Sequence, residues 1–149
     1  MSGERISLEG RNAMAAALGA VIDSGGAAGT IDLWNGALPA LTSDAPGGAS
    51  MATIGLAYPC GSASGGALLL SATTEDPSVE APGMPTFGRI RKSTGVVVMI
   101  LPAMLAADYD ILSDAEKGAL GNVIRINYSL SAGVPINFSG TLAIVMPGG

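Results

Sequence analysis

The spacing of apolar residues predicts one helix near the start of the chain. In the alanine-rich stretch that begins at Arg11, four larger apolar residues recur at the spacing of a single helix face: Met14, Leu18, Val21 and Ile22. Ser7 or Asn12 can cap the first turn, and Gly25 and Gly26 can close the last turn in a left-handed backbone conformation. The pattern therefore predicts an amphipathic helix of about three to four turns.

Beyond the helix, the apolar period changes to that of strands. Strands are predicted over these stretches: Thr30–Asn35, Ser50–Tyr58, Ala67–Ala72, Thr86–Lys92, Gly95–Leu101, Ile124–Leu130 and Thr141–Met146. In the second stretch, Ile54, Leu56 and Tyr58 form the predicted core side. The third stretch is apolar enough to be buried on both faces, and the alternation in the sixth predicts a half-buried strand of an antiparallel sheet.

Two short motifs add local detail. The turn Ser93–Gly95 joins the fourth and fifth strands, and its glycine suits the left-handed position of a three-residue hairpin turn. Ser113 and Glu116 match a capping box, which predicts a single helical turn that Gly118 and Gly121 would end. The hairpin is the most specific tertiary pairing that the sequence predicts.

These elements predict a mainly β fold, either an antiparallel β-sandwich or a barrel of about seven strands with one N-terminal amphipathic helix. The 149 residues fit a single domain over residues 1–149, which begins with a short arm from Met1 to Ile6. In such a fold the helix would cover one open end or one face of the sheet.

The composition favours a protein that assembles. The chain is 48% hydrophobic and only 13% charged, so a monomer would expose apolar patches of the kind that mark protein contacts. We therefore expect a homo-oligomer. The net charge of −5 argues against a nucleic-acid partner. The basic cluster Arg89, Arg91 and Lys92 is interpreted as a solvated face or as a set of salt-bridge partners.

The residues that usually carry chemistry are sparse. The chain has no histidine, which removes Ser-His and Cys-His mechanisms and the commonest zinc ligand, and its one cysteine, Cys60, suits a packed thiol. Two groups of acids were weighed as a cation site and as a catalytic pair: Glu75, Asp76 and Glu80, and Asp108 with Asp110. Both fit solvated loops better. We expect no enzyme, catalytic residue, cofactor or metal site.

The most apolar run is too short to cross a membrane. It extends from Val96 to Leu101 and ends at Pro102, far short of a membrane span. The alanine-rich stretch fits a helix better than a secretion signal, because Glu4 and Glu9 interrupt its basic flank. We therefore expect no membrane partner and a soluble protein that is made inside the cell.

Several segments resemble a group of small virion proteins of tailed phages and prophages. The N-terminal part of the resemblance lies in Arg11-Asn12-Ala13, Ile22–Gly26, Gly29–Ile31, Trp34–Gly36 and Pro39. Phe87–Gly95 is similar to the hairpin of that group, and Asn122–Ser131 to its closing strand. The chain departs from the group at Trp34, where tyrosine is usual, at Lys92, where aspartate is usual, and in a longer insert from Met104 to Gly121.

The resemblance implies a structural protein of the phage particle, most specifically a decoration or cement protein of the capsid. Its implied partners are the major capsid protein and further copies of itself, with a trimer expected at threefold positions of the capsid. The N-terminal arm and the loop from Thr73 to Pro85 are the expected contact elements. The implied location is the virion.

Two other functions stay open at this point. A tail, baseplate or fibre component would share every compositional argument. A carbohydrate-binding adhesion module would need aromatic stacking platforms, for which the chain offers these candidates: Trp34, Tyr58, Tyr109 and Tyr128. Core packing is the competing explanation for these aromatic side chains.

Overall fold

The computed structural model describes residues 5–74, 82–126 and 141–146. In chain order its elements are α1 (Leu8–Asp23), β1 (Thr30–Trp34), β2 (Ser50–Ser64), β3 (Ala67–Thr74), β4 (Phe87–Arg91), β5 (Val97–Leu105), α2 (Ala106–Asp110), α3 (Asp114–Leu120), β6 (Ile124–Ile126) and β7 (Thr141–Val145). The predicted arm before Arg5, most of the predicted contact loop and the predicted strand beyond Ile126 lie outside the described residues.

The described strands form one sheet in the order β6-β5-β4-β1-β2-β3-β7, nearly closed into a barrel. The predicted fold class is confirmed: the chain is mainly β, with about seven strands and one long N-terminal helix. All neighbours pair antiparallel except β5 and β6, which pair in parallel. The sheet is thus mainly antiparallel, as predicted, and the described part of the predicted strand at Ile124 departs from that pattern in its pairing with β5. The reason is that α2 and α3 carry the chain back before β6 begins.

The core lies between the sheet and α1. Side chains from every described strand contribute to it, and the largest fully buried aliphatic residues are Ile22, Ile31, Leu33, Met51, Ile54, Leu56, Leu68, Leu70, Ile90, Ile124 and Ile144. Gly88 on β4 has no side chain because a Cβ there would lie 2.4 Å from Ile124 Cδ1. Alternating burial on β6, where Ile124 and Ile126 are buried and Arg125 is exposed, follows the predicted pattern.

The capped ends of α1 match the sequence, but its buried face does not. Ser7 caps the first turn, accepting the Gly10 N–H, and Gly26 has the expected positive φ of 83°. The helix buries Ala15, Gly19 and Ile22 against the sheet.

The predicted apolar stripe is therefore only half right. Ile22 is buried and Leu18 is partly buried, whereas Met14 is 36% and Val21 46% exposed. Small residues on the inner side let α1 approach the sheet closely, since a Cβ on Gly19 would lie 3.2 Å from Leu68 Cδ1. Close packing thus selects the small face of the helix and leaves two of its larger apolar side chains outside.

The long hairpin of β2 and β3 replaces a predicted loop. The segment between the second and third predicted strands, from Pro59 to Gly66, is mostly part of β2. The turn contains only Gly65 and Gly66, which have φ values of 62° and 80°. Tyr58 is 54% exposed and does not join the core, because the pairing of β2 with β3 is irregular between Leu56 and Gly61. The predicted burial of β3 on both faces holds in part: Leu68 and Leu70 are buried on one face, whereas on the other Ala67 is buried, Leu69 is half-buried and Ser71 is exposed.

The predicted hairpin and capping box are both present. β4 pairs with β5 through a turn in which Gly95, with φ of 92°, donates its N–H to Lys92 O at 2.9 Å. Ser113 and Glu116 form the reciprocal capping box of α3. α3 is longer than the single predicted turn because Gly118 is accommodated within it, and Gly121, with φ of 70°, follows its end.

One side chain joins the two outer strands of the described sheet. Asn122, just before β6, donates its amide N–H to Val145 O at 3.2 Å and accepts the Val145 N–H at 2.9 Å. The side-chain amide therefore makes the pair of bonds that a neighbouring strand would make. We call the region between β6 and β7 the seam.

Candidate functional site

A buried ion pair lies on the face of β1 that turns away from the core. Ile31 and Leu33 belong to the core, so Asp32 between them points to the opposite face. Its cross-strand neighbour is Arg89, whose Nη2 and Nε lie 2.7 and 2.8 Å from Asp32 Oδ2. The Asp32 side chain is 3% exposed and that of Arg89 12%, so both charges are largely removed from water.

Trp34 completes this cluster. Its Nε1 donates to Asp32 Oδ2 at 2.6 Å, and the guanidinium carbon of Arg89 lies 5.0 Å from the indole centroid. The indole stacks on Phe87 with the ring planes 8° apart and the centroids 6.5 Å apart. We call these residues, together with Arg91, the Asp32 cluster. Trp34 is held by packing and a hydrogen bond, so it does not offer an open stacking face of the kind predicted for a glycan.

The two oxygens of the Asp32 carboxylate differ in their partners. Oδ2 accepts from Arg89 and Trp34, whereas the buried Oδ1 has no hydrogen-bond partner among the described residues. Arg91 Nη1 is 3.9 Å from Oδ1, and its Nε donates to Gly95 O. Arg89 and Arg91 of the predicted basic cluster are therefore salt-bridge partners, which was one of the two interpretations weighed from the sequence.

A second pair of cations lies next to β6, the first strand in the order of the described sheet. Lys117 Nζ on α3 is 5.2 Å, and the guanidinium carbon of Arg125 on β6 is 4.7 Å, from the ring centroid of Tyr109 on α2. Both distances are within the range of cation–π attraction. We call these three residues the Tyr109 cluster. Among the described residues, no carboxylate forms an ion pair with Lys117 or Arg125.

The Tyr109 cluster lines an open hollow of about 620 Å³ at the seam. Its apolar lining comes from Val123, Ala143, Val145 and Met146. Lys117 is half-buried and Arg125 is exposed. The hollow therefore combines two cations, an aromatic ring and an apolar wall at the edge of a strand.

The outer face of α1 is apolar over its whole middle. Between Asn12 and Ile22 the chain has no charged residue, and six side chains on the outer face are exposed: Ala13, Met14, Ala16, Ala17, Ala20 and Val21. A helix that is apolar on every side is usually buried on every side. We call these six residues the outer face of α1.

A smaller apolar hollow lies against β5. The loop that contains Leu38 and Leu41, both more than half exposed, encloses about 300 Å³ together with Val98, Met99 and Ile100. Val96, which immediately precedes the same strand, is also exposed. Exposed apolar side chains therefore occur on the sheet as well as on the helix.

Cys60 is packed between β2 and α1. Its side chain is fully buried, and its Sγ lies 3.7 Å from Gly19 O. The Asp23 carboxylate accepts the Cys60 N–H at 3.0 and 3.2 Å. Burial, with the nearby negative charge of Asp23 as a second cause, raises the pKa of the thiol to about 11. Such a thiol is protonated at neutral pH, in agreement with the packed thiol predicted from the sequence.

The remaining candidate residues do not converge. Asp108 and Asp110 are exposed on α2, and Tyr58 stands alone as an exposed ring. The predicted acids Glu75, Asp76 and Glu80, together with Tyr128, lie outside the described residues. Over the described ranges, no three His, Cys, Asp or Glu residues are grouped closely enough to hold a metal ion.

Sequence reasoning missed the Tyr109 cluster and missed Asp32 as the acid that pairs with Arg89 and Arg91. Asp32 was visible as an acid inside an apolar strand, but its partners depend on the register between β1 and β4. Tyr109, Lys117 and Arg125 come from three separate elements, so no short motif contains them.

Comparisons with protein-family models, curated proteins and solved structures found no match to this chain. Within the described residues, no helix combines the length and apolar character needed to cross a membrane. The functional argument therefore depends on the geometry of the chain itself.

Proposed function

We propose that this chain is a structural subunit of a tailed-phage particle, acting as a decoration or cement protein that stabilises the capsid. It would bind the major capsid protein and further copies of itself, with a trimer expected at threefold positions. In this role the chain contributes contacts and no catalysis. The observation that carries the proposal is the outer face of α1, which is exposed and lacks charge.

The energetics of that face favour burial against a partner. Apolar burial contributes about 25 cal/mol per Å² removed from water, and the largest exposed contributions on this face come from Met14 and Val21. The alanines between them would let a partner backbone approach closely. One such contact is weak, but a capsid repeats the contact in many copies, so the stabilisation accumulates.

The phage context comes from the resemblance of α1 and of the β4–β5 hairpin to virion proteins. In this chain the same residues have clear structural uses: the side chain of Asn12 accepts the Gly66 N–H at 2.8 Å, and Gly29 closely approaches Arg91 O. These uses support a fold-building role for the motifs. They are compatible with a tail or baseplate position as well as with the capsid, so the test must separate the two positions.

The test compares particles with and without the protein. Cryo-electron microscopy of virions, with the gene present and deleted, would locate the added density on the head or on the tail. We expect head density at threefold positions and a lower temperature of DNA release in the deleted particles. Density on the tail alone would contradict the decoration role, and an unchanged particle would contradict a virion role altogether.

A charged variant tests the contact face. Met14→Glu with Val21→Glu should abolish binding of the purified chain to particles from the deletion strain, because two carboxylates would have to be desolvated at the contact. Ile111→Glu is the matched control, since Ile111 is 83% exposed and lies outside α1. Equal binding by both variants would remove the outer face of α1 from the account.

A further inference from the structure

The Tyr109 cluster is short of a negative charge. The chain has only seven basic residues, and two of them, Lys117 and Arg125, lie against one ring without an ion pair among the described residues. Both cations keep access to solvent, so neither needs a paired acid for its own stability. Two cations at one ring nevertheless concentrate positive charge in the hollow, and this charge is complementary to an acid from another molecule.

Acids on the neighbouring helices do not provide the balance. Asp108 and Asp110 on α2 and Asp114 on α3 are exposed and make no ion pair with either cation. The Glu116 carboxylate accepts the Ser113 N–H in the capping box, which holds it at the start of α3. The position next to the ring therefore lacks a carboxylate from the described chain.

The Asp32 cluster shows what such a set of residues binds. There too an aromatic side chain and two cations lie together, and the group at their centre is a carboxylate. Arg guanidinium groups bind carboxylates through paired N–H donors, and an aromatic ring beside them keeps water away. By this internal comparison, a carboxylate is the ligand group that suits the Tyr109 cluster.

The walls of the hollow indicate what carries that carboxylate. The Asn122 amide already bonds both backbone groups of Val145, so this edge of β7 binds peptide-like amides. Met146, next to Val145, donates its N–H to Gly66 O on the β3 side of the strand. Backbone groups alternate between the two sides along a strand, so Ala143 presents its N–H and C=O to the same side as Val145. An extended peptide laid along this edge could continue the bonding that Asn122 begins.

We propose that the hollow at the seam binds an extended segment of a partner protein, whose acidic side chain lies between Lys117 and Arg125 and whose apolar side chains contact Val123 and Val145. The inference deepens the proposed function, and it rests on that function because it takes the chain to be a subunit that docks on a partner. It specifies the chemistry of the docking segment: acidic, extended and alternately apolar.

The experiment titrates the full chain with a defined peptide. The probe is an acetylated and amidated heptapeptide of alternating valine and glutamate, followed by amide shifts in NMR and by calorimetry. The matching peptide with glutamine tests the charge, and acetate tests whether the carboxylate alone is sufficient. We expect shifts at residues 117–125 and 143–145, and binding at least about tenfold weaker for the glutamine peptide and for acetate.

Matched variants connect the binding to the cluster. Lys117→Gln with Arg125→Gln should weaken binding of the acidic peptide at least about tenfold, and added salt should weaken the wild type in the same direction. Lys92→Gln with Arg5→Gln removes the same charge elsewhere and should leave the affinity unchanged. Circular dichroism of each variant confirms that it is folded.

Three results would overturn the inference: no saturable binding of the acidic peptide, equal binding of the glutamine peptide, or equal binding of acetate. The first two would remove the carboxylate site, and the third would remove the peptide segment as its source. Because particle binding through α1 is measured separately, loss of peptide binding with particle binding retained would contradict this inference and leave the proposed function standing.

Discussion

The two cation clusters of this molecule contain similar side chains but differ in whether the protein supplies the acid. Around Asp32, the chain provides a carboxylate, two arginines and an indole on one face of the sheet, and it buries the carboxylate and most of Arg89. Around Tyr109, it provides the ring and two cations and leaves them in an open hollow. Side-chain type alone therefore does not define a site. What distinguishes the Tyr109 cluster is that no described acid pairs with its cations and that the cluster is open to solvent.

The difference also has an energetic consequence. In the Asp32 cluster, Asp32 and Arg89 are largely buried, and removing either one would leave the other as an unpaired buried charge. The ion pair is therefore needed for the stability of the fold. In the Tyr109 cluster each cation keeps access to solvent and can be removed at little cost.

Removing the buried acid should have the largest effect. Asp32→Asn leaves Arg89 without its anion, and we expect the free energy of unfolding to fall by about 3 kcal/mol, measured by urea denaturation. Asp32→Asn combined with Arg89→Met should recover part of the loss, since no buried charge then remains unpaired. A double variant less stable than both single variants would contradict the claim that Asp32 and Arg89 stabilise each other's charge.

Raising the pH should destabilise the protein through Cys60. The pKa of its thiol is about 11 in the folded chain against 9.0 as the ordinary value, so between pH 9 and 11 the unfolded chain loses a proton that the folded chain keeps. The folded state then binds more protons, and stability falls with rising pH. We expect a loss on the order of 1–2 kcal/mol by pH 11, absent from Cys60→Ala. Equal loss of stability with rising pH in the wild type and in Cys60→Ala would contradict this role of the Cys60 thiol.

Opening the seam should cost less than breaking the Asp32 cluster. Asn122→Ala removes both hydrogen bonds to Val145, and we expect about 1–2 kcal/mol lower stability in the same denaturation experiment. Gly118→Ala, at a lining position with open space around it, serves as a control that leaves those bonds intact. No difference between the two variants would show that Asn122 does not join the outer strands.

Placing a carboxylate inside the hollow should make the Tyr109 cluster resemble the Asp32 cluster, in which the chain supplies the acid. Ala143→Glu places a carboxylate on an exposed residue of the apolar wall, within the same hollow as Lys117 and Arg125. We expect stability to change by less than about 1 kcal/mol, while the acidic peptide binds at least about tenfold more weakly. Ala143→Gln should retain most of the binding. Equal loss of peptide binding in Ala143→Glu and Ala143→Gln would show that the added charge is not the cause.

Neutralising the open cluster should have the smallest effect on stability. Lys117→Gln with Arg125→Gln should change the free energy of unfolding by no more than about 0.5 kcal/mol, because both cations are solvated or partly solvated. Alkylation of the buried Cys60 provides an independent measure of opening, and its rate should rise in Asp32→Asn and stay unchanged here. A loss as large as that of Asp32→Asn would make this cluster part of the fold.

The fold was largely accessible from the sequence because it depends on local patterns. The hairpin at Ser93–Gly95 and the capping box at Ser113 require only a few neighbouring residues of the right type, and both are present. The parallel pairing of β5 with β6 was not accessible, because it depends on how α2 and α3 return the chain. Tyr58 was misplaced for a related reason: the alternation on β2 stops where its pairing becomes irregular.

The candidate sites were less accessible because they depend on register and on packing. The choice of buried face on α1 depends on how closely Gly19 can approach β3, which no hydrophobic period records. Asp32 pairs with Arg89 only because β1 and β4 align at that register. The general expectation of exposed apolar surface did follow from composition, since a chain with 13% charged residues cannot cover its surface with charge.

The most direct test of the account is the mass of the purified chain in solution, measured by light scattering over a range of concentrations. The account predicts a mass that rises with concentration from 14.7 kDa towards three times that value. A wild-type chain that stays at 14.7 kDa throughout would contradict the proposed binding of the chain to further copies of itself.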